Sequence, residues 1–119
     1  MRASNADLGR IGESAALARY SAGGFRLVAR NWRCRLGELD LVVVRGGLLV
    51  LCEVKCRRGG RFGGPFEAVD GSKQRKLRAL GEAFLGSYPE RVEAVRFDVA
   101  SVMVRPDGTI SVHVFEDAF

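Results

Sequence analysis

The rhythm of apolar and polar positions changes along this chain, and each rhythm predicts an element. Leu8, Ile11, Ala15 and Ala18 recur at helical spacing behind a capping Ser4 or Asn5, which predicts a helix to about Tyr20 with these residues as its buried stripe. Gly23-Gly24 ends it. Residues 25–30 alternate with period two and read as a strand, an edge strand because Arg26 and Arg30 fall in it. Residues 31–36 then read as a connection. The apolar pattern is densest over 37–57, GELDLVVVRGGLLVLCEVKCR, where two strands meet at Gly46-Gly47, a glycine pair of the hairpin-turn kind.

With those glycines as the whole loop, Val43 faces Val50 and Leu41 faces Cys52 on one side; Val44 faces Leu49 and Val42 faces Leu51 on the other. A hairpin apolar on both sides belongs inside a sheet that is covered on both faces. The same register puts Asp40 opposite Glu53 and Glu38 opposite Lys55. A second helix starts near residues 70–72 and runs to about Ser87, with Leu77, Leu80 and Phe84 as its stripe, and Pro89 closes it. Ala94–Val104 is a long strand apolar on both faces, Pro106-Asp107-Gly108 a turn, and Ile110–Phe115 a last strand. The order α-β-β-β-α-β-β predicts one α/β domain over residues 1–119, a sandwich around a mixed sheet.

Composition narrows the class. At 119 residues, with 47% hydrophobic and 28% charged positions, the chain is an ordinary globular one. No apolar run approaches the roughly 20 residues of a membrane helix, and MRASNADLGRIGE lacks the apolar core of a signal peptide, so the expectation is a cytoplasmic protein with no membrane partner. Cys34, Cys52 and Cys56 contain no C-x-x-C pair, and Cys52 and Cys56 share a strand face with Val50 and Val54. They read as small buried hydrophobes rather than zinc ligands. His113, the single histidine, falls in the last strand and reads as structural or surface. The net charge of +5 gains meaning only where basic residues cluster around an acidic pocket.

Such a pocket is what the hairpin predicts. Carboxylates opposite each other lie with Cβ atoms roughly 5 Å apart, which is unfavourable without a positive group between them. A divalent cation fills that role. Glu53 and Lys55, two apart on one strand, point the same way, and two carboxylates beside a lysine suit metal-assisted hydrolysis of a phosphodiester. Asp40 and Glu53 would hold Mg²⁺ or Mn²⁺, with the Val54 carbonyl as a further ligand. Lys55 would orient water or stabilise developing charge. Glu13 lies on a helix face with the small Gly9, Gly12 and Ala16, which allow close approach and bring its carboxylate toward the sheet; taken alone it reads more readily as a solvated helix residue.

Basic residues gather in three further places. Arg33 and Arg35 flank Trp32, which either stacks on a base beside phosphate-gripping arginines or anchors the core. Arg57 opens a glycine-rich basic stretch over 57–65. Lys73, Arg75, Lys76 and Arg78 lie in the first turns of the second helix, where they oppose the helix dipole; they bind phosphate or form a solvated face.

Asp40 followed by Glu53-Val54-Lys55 resembles the PD-(D/E)xK signature of restriction-endonuclease-like nucleases. The wider set is similar to the YraN-like family of small bacterial proteins, often labelled endonucleases. Its marks here are Gly9, Gly12-Glu13, Arg30-Asn31, Gly37-Glu38-Leu39-Asp40, Glu53-Val54-Lys55, Arg57, Phe62-Gly63, Lys73 and Phe97-Asp98. Leu39 stands where the nuclease signature has proline. The resemblance implies a restriction-endonuclease-like three-layer sandwich and kinship with archaeal Holliday-junction resolvases, in which a first-helix glutamate, here Glu13, joins the acidic pocket. It also implies DNA as partner, with Arg57, Lys73 and Lys76 on phosphates, and a homodimer, to which Phe115 and Phe119 could contribute.

Three readings follow: a metal-dependent nuclease acting on linear or branched DNA, a non-catalytic nucleic-acid-binding module on the nuclease fold, and a cross-strand ion-pair network of Glu38, Asp40, Glu53 and Lys55. Glu38 paired with Lys55 suits the last; Asp40 opposite Glu53 does not.

Overall fold

A computed structural model describes residues 4–59 and 70–119. Its elements are α1 (Asn5–Ala22), β1 (Arg26–Cys34), β2 (Gly37–Arg45), β3 (Leu48–Arg58), α2 (Gly71–Ser87), β4 (Ala94–Val104) and β5 (Ile110–Phe115), in the order the pattern predicts. Ser4 caps α1 in a reciprocal capping box with Asp7, and Asp70 caps α2 by accepting from the Lys73 N–H at 2.9 Å.

The five strands form one mixed sheet in sequence order. β1–β2, β2–β3 and β4–β5 are antiparallel, while β3 and β4 are parallel and joined through α2. β1 is the edge strand that its arginines announce. Alternation along β2 and β3 sends Val42, Val44, Leu49 and Leu51 under Leu77, Leu80 and Phe84 of α2. Leu41, Val43, Val50 and Cys52 go under Ala16 and Tyr20 of α1. A helix therefore covers each face, giving three layers, and the doubly apolar hairpin lies inside the sheet as its sequence requires. Gly46 takes φ +58° at the turn, and the Gly47 carbonyl accepts the Glu93 and Ala94 N–H groups at 2.8 and 3.1 Å, docking the start of β4 on the hairpin.

Two expectations need correction. The buried face of α1 is Gly12, Glu13, Ala16 and Tyr20, whereas Leu8, Ile11 and Ala15 are half-buried and Ala18 is exposed. Close approach decides this: a Cβ on Gly12 would sit 2.7 Å from Cys56 Cβ, so the helix settles on its small residues rather than its larger apolar ones. The second concerns residues 31–36, of which Asn31 to Cys34 belong to β1. Asn31 adopts φ +55°, which interrupts the alternation that would have revealed the strand. Trp32 packs edge-to-face on Phe84 with centroids 5.3 Å apart, the core-anchor alternative. Cys52 is buried and all three thiols are free. His113 is exposed beside Phe115. Phe119 packs within its own chain on Phe97, centroids 5.2 Å apart. Among the described residues no helix is long and apolar enough to cross a membrane.

Candidate functional site

The β2–β3 ladder runs from Arg45↔Leu48 to Leu41↔Cys52 and ends there. Beyond that point β3 stays paired with β4 as far as Arg58↔Val104, while β2 stays paired with β1 to Cys34↔Gly37. The two strands part at Asp40 and Glu53. Asp40 and Glu53, and likewise Glu38 and Lys55, are therefore not ladder partners as the extended register predicts. At that point the Val54 N–H donates to Asp40 Oδ2 at 2.9 Å, so a side chain takes the amide where the backbone ladder stops.

The break is shared by the neighbouring strand. Leu39 belongs to the cluster under α2 and Leu41 to the one under α1, although residues two apart on a regular strand share a face. Asn31, at its positive φ, falls across from Asp40, between the pairs Arg30↔Leu41 and Trp32↔Leu39. That conformation lets adjacent side chains reach one target. Arg30 Nε and Asn31 Nδ2 both donate to Glu13 Oε1, at 3.3 and 2.9 Å.

The divergence opens a cleft of about 600 Å³ lined by Glu13, Asp40, Glu53, Val54, Lys55, Arg57 and Arg58. Gly12 explains how Glu13, only 9% exposed, reaches it: the helix lies against β3 at Cys56. Burial, then the charge of Glu53, pushes the Asp40 carboxyl up to about 7, against the pull of the Val54 N–H; Glu13 and Glu38 add to the rise. Lys55 Nζ and Lys73 Nζ sit 3.3 and 3.1 Å from the same oxygen, Glu53 Oε1. Burial and the adjoining Lys73 lower the Lys55 ammonium below its ordinary value. Burial also opposes the Lys73 charge, but Lys55 and the Glu53 carboxylate outweigh it and raise that group.

The sequence's site residues thus divide. Glu13, Asp40, Glu53, Val54, Lys55 and Arg57 line one cleft, and Lys73 joins it through Glu53. Glu38 does not meet Lys55; it pairs with Arg33 at 3.3 Å. Arg33, Arg35 and Lys76 are exposed and not among the lining residues. Phe62-Gly63 and the rest of the 60–65 stretch lie outside the described residues. Sequence reasoning missed Arg30 and Asn31 as holders of Glu13, and the presence of Arg58 in the cleft lining. An asparagine interrupting an alternating run was the available signal for the first two. Asp40, Glu53 and the Val54 carbonyl are hard oxygen donors, but among the described residues no three His, Cys, Asp or Glu side chains are grouped to hold an ion by themselves.

The class that these observations define is an α/β sandwich with a carboxylate–lysine cleft where two sheet strands separate. Within that class the chain belongs to a family described as "Uncharacterised protein family UPF0102", the YraN-like one, whose model matches residues 12–102 and so spans Glu13 through Lys73. It is similar along its whole length to a UPF0102 protein of Frankia alni, 48% identical over 119 residues, 100% of this chain and 98% of the relative. A UPF0102 protein of Symbiobacterium thermophilum is 44% identical over 112 residues, 94% and 95% of the two chains.

Proposed function

We propose that this protein is a Mg²⁺- or Mn²⁺-dependent endonuclease that hydrolyses phosphodiester bonds of DNA, branched and junction DNA included. The observation that carries the reading is the separation of β2 and β3, which leaves Asp40 and Glu53 lining one cleft with Lys55 and Glu13. The PD-(D/E)xK resemblance of Asp40 and Glu53-Val54-Lys55 supports it, and with it the restriction-endonuclease-like fold.

The donor set fits a divalent ion. Asp40 is a half-buried carboxyl whose charged form is penalised by its surroundings and by Glu53, and a cation between the two would relieve both costs. Asp40, Glu53 and the Val54 carbonyl would hold it, the remaining positions going to water. Bound there, the ion would supply an acidified water and neutralise charge on the scissile phosphate.

The chain's own groups do the rest. Lys55, 3.3 Å from Glu53, orients the attacking water and stabilises charge developing on the phosphate. Arg30 and Asn31 keep Glu13 turned into the acidic end of the cleft. Arg57 and Lys73 take phosphates beside the reacting one; Lys76, Arg33 and Arg35 could reach only phosphates farther along the backbone.

The test is cleavage of labelled linear, flapped and four-way-junction DNA with Mg²⁺ or Mn²⁺, beside Glu53→Ala. Metal-dependent cutting by the wild type and none by the variant is the expected result. Residual cutting by the variant at the wild-type rate sinks the reading. One observation favours a second reading, a non-catalytic nucleic-acid-binding module: Glu53 already holds two ammonium groups on one oxygen. Binding of junctions without cutting under every metal condition would put that reading first.

A further inference from the structure

The carboxylates of the cleft all have donors. Glu13 accepts from Arg30 and Asn31, Asp40 from the Val54 N–H, and Glu53 pairs with Lys55 and Lys73. Arg58, at the end of β3, shows the opposite imbalance. It lines the same cleft, and its Nη2 is shut off from water with no hydrogen-bond partner among the described residues. Buried donors are almost always paired, and an unpaired one marks either a cost or a missing acceptor. A guanidinium also lacks the option of shedding its charge. The missing partner is therefore an acceptor, and an anionic one suits the planar fork best.

Register places this demand on a particular wall. Val54 packs in the cluster under α1 and Cys56 abuts Gly12, so Arg58, two residues further along β3, falls on the α1 side; Arg57 is exposed. Asn5, Leu8 and Gly9 of the first turns of α1 line the cleft there. Gly9 leaves that wall open, since a Cβ on it would meet nothing within 4 Å. The cleft thus has an acidic end whose carboxylates each have a donor and a basic end where Arg58 Nη2 has none among the described residues.

We propose that Arg58 binds a backbone phosphate next to the scissile one, on the α1 side of the cleft. The assignment rests on the nucleic-acid reading above and names the contact that reading lacks. The phosphate belongs to a polynucleotide backbone rather than a free anion, because the acceptor has to lie in a cleft open toward the carboxylates that act on its neighbour.

The experiment measures binding of fluorescently labelled duplex and four-way-junction DNA in chelator, across a salt series, for wild type, Arg58→Met and Arg58→Lys. Met keeps the length of the stem and removes the unpaired donor. Affinity of Arg58→Met is expected to fall about tenfold, with the slope of log affinity against log salt reduced by about one phosphate contact. Arg58→Lys should recover part of the slope, as a point charge would. The unfolding midpoint of Arg58→Met should be unchanged or raised, an outcome opposite to that of a structural arginine. Wild-type affinity and slope in Arg58→Met, with DNA still bound and cut normally, overturn the assignment of Arg58 and leave the nuclease reading standing. Failure of the wild type to bind any DNA overturns both. Inorganic phosphate that displaces DNA from wild type but not from Arg58→Met would make the site a free-anion site and overturn the backbone assignment.

Discussion

Two aspartates of this protein, one fully buried and one half-buried, live in opposite circumstances. Asp98, fully buried in β4, accepts both Arg96 Nε and Nη2 at 2.9 Å, the Tyr20 hydroxyl at 2.6 Å and the Asp117 N–H at 3.0 Å. Its donors come from α1, its own strand and the C-terminal end, so one carboxylate ties three parts of the chain together. Burial, then Cys52 and this same contact with Asp98, raise the Tyr20 hydroxyl far above its ordinary range. Among the described residues Asp40 has a single donor, the Val54 N–H, against the charges of Glu53, Glu13 and Glu38. The contrast lies in the donors more than in burial. What distinguishes them is whether the protein's own donors meet the charge. Where they fall short, the proposed function has a cation from outside the chain meet the charge.

Removing Asp98 should break the comparison most violently. Asp98→Ala leaves the Arg96 guanidinium with its longer pair to Glu116 at 3.7 Å and takes the Asp98 acceptor from the Tyr20 hydroxyl, and should cost about 3–5 kcal/mol in urea unfolding. A loss under about 1 kcal/mol would mean that the satisfied aspartate is no more structural than the strained one.

Asp40→Asn should move stability the other way. Asp40 in the native state keeps its proton to about 7 against an ordinary 3.8. Below 3.8 both native and unfolded chains are protonated there and the group contributes no difference. Between 3.8 and about 7 the unfolded chain releases its proton first, so native stability falls as pH rises, and the full loss is present above about 7. Asparagine cannot ionise and can still accept from Val54. In chelator, the variant should match wild type at about pH 4 and exceed it by about 1–3 kcal/mol at about pH 8, while losing metal-dependent cutting. Parallel pH–stability curves for the two proteins would count against a strained Asp40.

Lys73→Met should have the smallest effect. Its side chain is 36% exposed and Glu53 retains Lys55, so stability should change by less than about 1 kcal/mol in the same unfolding assay. A larger loss would turn the Glu53–lysine cluster into a structural element of the Asp98 kind.

Much of the architecture is legible in the chain because it rests on short-range rules. The Ser4 and Asp70 caps, the Gly46-Gly47 turn and the bounds of Ala94–Val104 and Ile110–Phe115 need nothing beyond neighbouring residues. The doubly apolar hairpin announces its interior place for the same reason. Two local readings failed where a distant contact intervened. On α1 the larger apolar stripe lost to Gly12 and Ala16, because packing distance to Cys56 outweighs the area that Ile11 could bury. In β1 the strand continued through Asn31 in a conformation that no alternation pattern can display.

The candidate site divides along the same line. Asp40, Glu53 and Lys55 could be read as one group because two strands and a two-residue turn bring them to the same end of a hairpin, whatever surrounds it. That they line an open cleft instead of facing across a ladder was decided by the tertiary fold. β1 holds β2, β4 holds β3, and the Asp40 carboxylate occupies the amide at the point of separation. The approach of Glu13 over Gly12, the two lysines on Glu53 and the unmet donor of Arg58 depend on elements far apart in the chain. Sequence determines which side chains each element carries and which way they alternate; only packing sets the distances at which charges meet, and electrostatic consequences follow distance.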